Sequence, residues 1–115
     1  MTVSPSCPAL VIHEDGAFRR SLIAALDAQH FSVTYTESGA EAVRAMREKT
    51  FKVVMLSAAV GEALEYLRAN QRAGVILISV PNPDLRRYAG VADETLLKPV
   101  DAKYVAERAR VYCRD

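Results

Sequence analysis

Phe51-Lys52-Val53-Val54-Met55-Leu56-Ser57 carries four consecutive apolar residues, Val53 to Leu56, with no polar residue among them. A strand with one face in water alternates apolar and polar side chains. An unbroken run of this length therefore predicts a strand covered on both faces. Cover of that kind comes from helices, and helical patterns lie on either side. Downstream, Val60, Leu64 and Leu67 recur at helical spacing. Upstream, Ser38-Gly39-Ala40-Glu41 fits a capping box and opens a helix whose apolar face is Ala42, Val43 and Met46.

The same alternation continues outward to both ends. Phe31 to Thr36 is β-branched and aromatic and reads as a strand, as does the aliphatic run Ala9 to Ile12. Between them Phe18, Leu22, Ala25 and Leu26 mark a helix. On the other side Val75 to Ile78 is a clear strand, and Asn82-Pro83 starts a short helix that ends near Gly90. Thr95-Leu96-Leu97 is a short last strand. After Pro99, Asp101 caps a final helix with the face Ala102, Val105, Ala109 and Tyr112. About five βα units follow one another without a linker, a repeat or a low-complexity segment. The reading is one α/β domain over residues 9–115, a doubly wound parallel sheet, after an N-terminal tail over residues 1–8.

Length and composition narrow the function. The 115 residues suffice for one core, half of them are hydrophobic and a quarter charged. Fifteen basic against fourteen acidic residues leave a charge of +1, which gives no electrostatic reason to expect nucleic acid or an anionic membrane as partner. No apolar run reaches the ~18 residues of a membrane span, and the first eight residues do not resemble a secretory signal. A cytoplasmic location is the default expectation. The two cysteines, Cys7 and Cys113, form no metal-binding spacing, and a bridge between them is not expected in a reducing cytoplasm.

In doubly wound sheets the working residues lie beyond the carboxyl ends of the strands. Those positions read His13-Glu14-Asp15, Ser57, Ser79 and Lys98-Pro99. Leu10 to Asp15 with Arg19-Arg20, Phe31 to Thr34, Ser38 to Ala42, Val75 to Ser79, and Leu96 to Val100 occur in this order over nearly the full length. Together they resemble the receiver domain of bacterial two-component response regulators. The resemblance implies a flavodoxin-like, receiver-like sheet of five strands in the order 2-1-3-4-5. It also implies a cis peptide at Lys98-Pro99. In a working receiver two carboxylates after the first strand and an aspartate after the third hold Mg²⁺ while that aspartate takes a phosphoryl group. A hydroxyl residue and a lysine contact the phosphoryl oxygens.

The sequence departs from that pattern at the chemistry. Ser57 stands at the acceptor position. His13 and Glu14 stand at the acidic-pair positions, with Asp15 one step further on, and a shift by one residue would make Glu14-Asp15 the pair. The loop after Ser57 lacks the family's Met-Pro pair and is about two residues short. A serine hydroxyl is neutral, is a weak nucleophile without a base and cannot form an acyl phosphate. An imidazole at His13 cannot replace a carboxylate toward a hard cation. A pseudo-receiver is the resulting expectation: not an enzyme, with no cofactor and with Mg²⁺ binding weak or absent. It would signal in a two-component or phosphorelay system through protein partners, a second copy of the chain being one form open to it. At this length no output domain is expected beside it.

The remaining candidates have narrower readings. Lys98 is expected as a vestigial phosphate contact, the other options being a pair with Glu14 or Asp15, or a plain strand-end lysine. Ser79 is either a vestigial switch hydroxyl or a strand terminator. Asp15 is expected to cap the first helix rather than to bind metal. Thr95 occupies the place of the family's switching aromatic, so aromatic gating is not expected. Tyr88 and Tyr104 are expected near the surface of the last two helices, where partners dock in this family. Two alternatives remain: a conventional receiver with a displaced acidic acceptor, and an enzyme or ligand-binding module reusing His13, Ser57 and Lys98. A Ser–His–carboxylate group would be the chemistry of the latter, although no G-x-S-x-G elbow is present.

Overall fold

Val53 to Leu56 are buried on both faces of the sheet, Val54 and Leu56 in one apolar layer and Val53 and Met55 in the other. The computed structural model describes residues 6–70, 73–81, 83–88 and 90–113. Within them five strands, β1 (Cys7–Ile12), β2 (Phe31–Thr36), β3 (Val53–Ser57), β4 (Gly74–Ser79) and β5 (Glu94–Leu97), form one sheet of order β2-β1-β3-β4-β5. All four pairings are parallel. Helices α1 (Gly16–Ala28) and α4 (Ala102–Ala109) cover one face, packing Leu22, Leu26, Val105, Ala106 and Ala109 onto Ala9, Val11, Met55 and Ile76. Helices α2 (Gly39–Glu48) and α3 (Gly61–Asn70) cover the other, packing Ala42, Leu64 and Leu67 onto Leu10, Ile12, Val54 and Leu77. This is the flavodoxin-like arrangement expected from the sequence.

Local chemistry sets the helix starts. The Asp15 side chain accepts from the N–H groups of Ala17 and Phe18 at 3.0 and 3.2 Å, capping α1. The Ser38 hydroxyl accepts from Glu41 N–H at 3.2 Å and opens α2, as the capping box predicts. The Asp101 carboxylate does the same for α4 through Lys103 N–H, 2.9 Å. The Lys98-Pro99 peptide is cis.

Some expectations are corrected. Strand β1 starts at Cys7, so the last two residues of the segment set apart as a tail belong to the sheet. The third strand starts at Val53, and Phe51 is buried in the loop before it. The inner face of α2 is Ala42, Ala45 and Met46, with Val43 only half-buried. The short helix after Pro83 is a 3-10 helix, Pro83–Tyr88; the Asn82 expected to cap it lies outside the described residues.

The largest correction concerns the cysteines. Cys7 and Cys113 are bridged, with their Cα atoms 5.7 Å apart. Two elements bring them together: β1 begins with Cys7, and a second 3-10 helix, Arg110–Cys113, continues α4 back along the sheet to that end. The expectation failed because it weighed compartment and cysteine number, not where a closing helix returns the chain. Tyr112 fixes the same turn. Its ring lies over Gly74, where a Cβ would collide with it, and its hydroxyl donates to Glu94 at 2.7 Å. Arg108 pairs with the same carboxylate at 2.9 Å.

Candidate functional site at the strand ends

Parallel register brings the ends of β1 and β3 side by side, Ile12 opposite Leu56, so that His13-Glu14 and Ser57 face one another. Ser57 is buried and its hydroxyl donates to Glu14 Oε1 at 3.1 Å. Ser57 Oγ in turn accepts from Ala59 N–H at 3.2 Å. The residue that ends β3 is thus a hydroxyl with both its proton and a lone pair committed. Burial pushes the Glu14 carboxyl up, but hydrogen bonds from its own N–H and from Ser57, with the charges of His13 and Lys98, bring it below the usual carboxylate range. Glu14 is therefore an anion at neutral pH and a weak base.

His13 is fully buried, with its ring 4.9 Å from that of Phe18. Its Nδ1 accepts from Asp15 N–H at 3.0 Å, which places the imidazole proton on Nε2 in the neutral form. Nε2 is buried and has no hydrogen-bond partner among the described residues. Burial holds the His13 pKa below 6.5, aided by Lys98, while Glu14 and Asp15 pull the other way. Asp15 itself is held below the usual range, first by Phe18 N–H and also by Ala17 N–H and nearby positive charge. It is the α1 cap, as expected, and its carboxylate is spent on that role.

The other predicted residues are placed as follows. The Lys98 ammonium lies over the Phe18 ring at 5.1 Å and makes no ion pair with Glu14 or Asp15 among the described contacts. The Ser79 hydroxyl donates to Val80 C=O at 2.7 Å, the bond of a strand terminator. Thr95 is exposed on β5. Tyr104 is 48% exposed, and Tyr88 is partly exposed while packing against the apolar layer that holds Val91.

A Ser–His nucleophile is not assembled. The carboxylate of Glu14 stands between the two groups, 3.1 Å from Ser57 Oγ and 3.8 Å from His13 Nδ1, so the imidazole does not receive the serine proton. Sequence reading missed one residue of the site, Arg19. It is 9% exposed, and its guanidinium donates to His13 C=O at 2.7 Å and to Glu37 at 3.1 Å, beside the Tyr35 ring. The available signal was its spacing: Arg19, Leu22 and Leu26 share one helical face, so the arginine had to point inward.

No family model matches the sequence, and no curated protein matches it. Solved structures match over nearly the full chain. The chemotaxis response regulator CheY4 of Vibrio cholerae has a TM-score of 0.81 at 14% identity, covering 94% of this chain and 99% of that one. The orphan response regulator HP1043 of H. pylori has 0.81 at 21%, covering 96% and 100%. The receiver domain of sensor histidine kinase PA1611 from Pseudomonas aeruginosa PAO1, solved with magnesium in its active-site cleft, has 0.82 at 15%, covering 95% and 98%.

Proposed function

We propose, taking the receiver fold as premise, that this chain is a signalling module of a two-component or phosphorelay pathway that takes no phosphate on aspartate and works by binding protein partners. The observation that carries the reading is Ser57, buried at the acceptor position with its hydroxyl hydrogen-bonded to Glu14. An acyl phosphate needs a carboxylate there, and the nearest one, Glu14, reaches the position from the neighbouring strand. The donor set also fits Mg²⁺ poorly. His13 is neutral and buried, Asp15 caps α1, Glu37 pairs with Arg19, and Glu14 alone is left to offer a carboxylate. Hard cations bind clustered anionic oxygens, and one carboxylate is not a cluster.

The partner surface in this reading is β5, the 3-10 helix Pro83–Tyr88 and α4. Val80, Leu97 and Tyr104 are large apolar side chains about half exposed on or beside those elements. A second copy of the chain is one candidate occupant. No nucleic-acid or membrane role is proposed, and no helix among the described residues is long and apolar enough to cross a membrane.

The test is incubation with Mg²⁺ and acetyl phosphate, followed by intact mass. No added phosphate is expected. A hydroxylamine-labile adduct that disappears in Glu14→Gln would replace this reading with the second one, a receiver whose acceptor is displaced to β1. That second reading has the half-exposed Glu14 carboxylate beside Ser57 in its favour.

A further inference from the structure

The Cys7–Cys113 bridge lies at the opposite end of β1 from the strand-end site, and neither the fold nor that site explains it. The fold does not need it to hold α4. The inner face of that helix, Val105, Ala106 and Ala109, is fully buried against the sheet, and Arg108 ties it to Glu94 on β5. The bridge instead acts on the turn after the helix, Arg110–Cys113. There Arg110 and Val111 are exposed, and Tyr112 is half-buried over Gly74. Arg110 N–H bonds back to Ala106 C=O and starts the turn from α4, and Tyr112 packs on the apolar layer with its hydroxyl on Glu94. The bridge is the covalent tie at the far end of this short 3-10 segment.

The bridge is also within reach of solvent. Both cysteines are only partly buried, and Cys113 lines an open depression of about 510 Å³ together with Glu107, Arg110 and Val111. A bridge sealed in the core can be reduced only after unfolding. This one borders a space wide enough for a small thiol.

We propose that Cys7–Cys113 is a reversible thiol–disulfide site, reduced by a dithiol while the domain stays folded, and that reduction releases the turn 110–113 alone. One thiolate of the dithiol attacks Cys113 Sγ and expels Cys7 as a thiolate, which takes up a proton. The second thiol of the reductant then displaces Cys113 and closes a disulfide of its own. Two electrons pass from the dithiol, which is oxidised, to the cystine, which is reduced to two thiols. The released turn frees Tyr112 and Val111 at the end of α4 and separates the two chain segments that the bridge joins. In a reducing compartment the site would report the local dithiol supply.

The experiment treats the native protein with dithiothreitol in buffer without denaturant, alkylates it, and records intact mass, far-ultraviolet circular dichroism and hydrogen exchange. The expected result is two alkylated cysteines per chain, unchanged circular dichroism, and exchange at residues 110–113 faster by about tenfold or more, on a timescale at which β3 and β4 remain protected. The double variant Cys7→Ser/Cys113→Ser should show the same exchange pattern without reductant. Three results would overturn the proposal: air-purified protein that already carries two free thiols, thiols released only as the circular dichroism signal collapses, or reduction that leaves exchange at 110–113 unaltered. A double variant that does not fold would overturn it as well, by making the bridge a requirement of the domain.

Discussion

Arg19 sets an internal charge against the end of β1, and burial decides what its removal costs. Its partner Glu37 is mostly exposed and stays hydrated without it, so no stranded anion results. The His13 carbonyl loses its donor, and an unpaired buried acceptor costs about 1–3 kcal/mol. Arg19→Leu should therefore lower stability by about that amount in urea unfolding; a loss under about 0.5 kcal/mol, the usual scale of a neutral surface change, would contradict the role given to it. His13 adds a pH dependence. Its pKa in the folded protein lies below 6.5, so the unfolded chain takes the proton first as pH falls. Stability is then full above 6.5 and is lost as pH drops through that value toward the folded pKa. Glu14 and Asp15, whose pKa values are lowered, contribute stability above their unfolded values of 4.5 and 3.8 and lose it only in the more acid range. Urea midpoints taken from neutral pH down to about 5, above the carboxylate window, should fall in the wild type and flatten in His13→Leu. Equal slopes in both proteins would assign the acid sensitivity elsewhere.

Elements were legible where one short-range rule governs them. β2 has the bounds its β-branched composition predicts, and α1, α2 and α4 begin where Asp15, Ser38 and Asp101 can cap them. Rules of longer range were not legible. The segment Pro83–Tyr88 winds as a 3-10 helix with Leu85 and Tyr88 on the apolar layer that holds Val91, and α2 turns Ala45 rather than Val43 to that layer. Capping gives the cleanest element-scale prediction: Asp15→Ala should cost about 1 kcal/mol in urea unfolding and fray the start of α1. Gly74 gives another. A methyl group there meets the Tyr112 ring, so Gly74→Ala should displace the terminal turn and lower the melting temperature, while Gly90→Ala, where a Cβ meets nothing within 4 Å, should not.

For the whole molecule, the two-layered cover of a parallel sheet could be read from the apolar runs, because an unbroken run such as Val53 to Leu56 has no stable place except between two helical layers, whereas the strand order came from the family resemblance. The strand-end site was legible in its residue identities and not in its geometry. Ser57 and Glu14 could be placed near each other, but the imidazole's contact with Asp15 N–H, which turns it from the serine, is a three-dimensional fact. The bridge was illegible for the same reason, since it depends on where α4 returns the chain. It spans a sequence separation of 106 residues, and a native bridge closing so long a loop stabilises by about 2–5 kcal/mol. Reduced protein should unfold at correspondingly lower urea with its fold intact in water. An unchanged midpoint on reduction would mean that the unfolded chain gains no freedom when the loop opens.

That bridge also makes a covalent ring of the segment from residue 7 to residue 113. A protease that cuts one exposed loop inside the ring separates no fragment, because the two pieces stay joined through sulfur. Two cuts are needed before any peptide leaves. A singly nicked molecule should keep its full mass on a non-reducing gel and fall into two bands when a thiol is added. The ring also brings its two closing points within one side-chain length of each other, which makes 7 and 113 natural joining points for a version of the chain opened at some other loop.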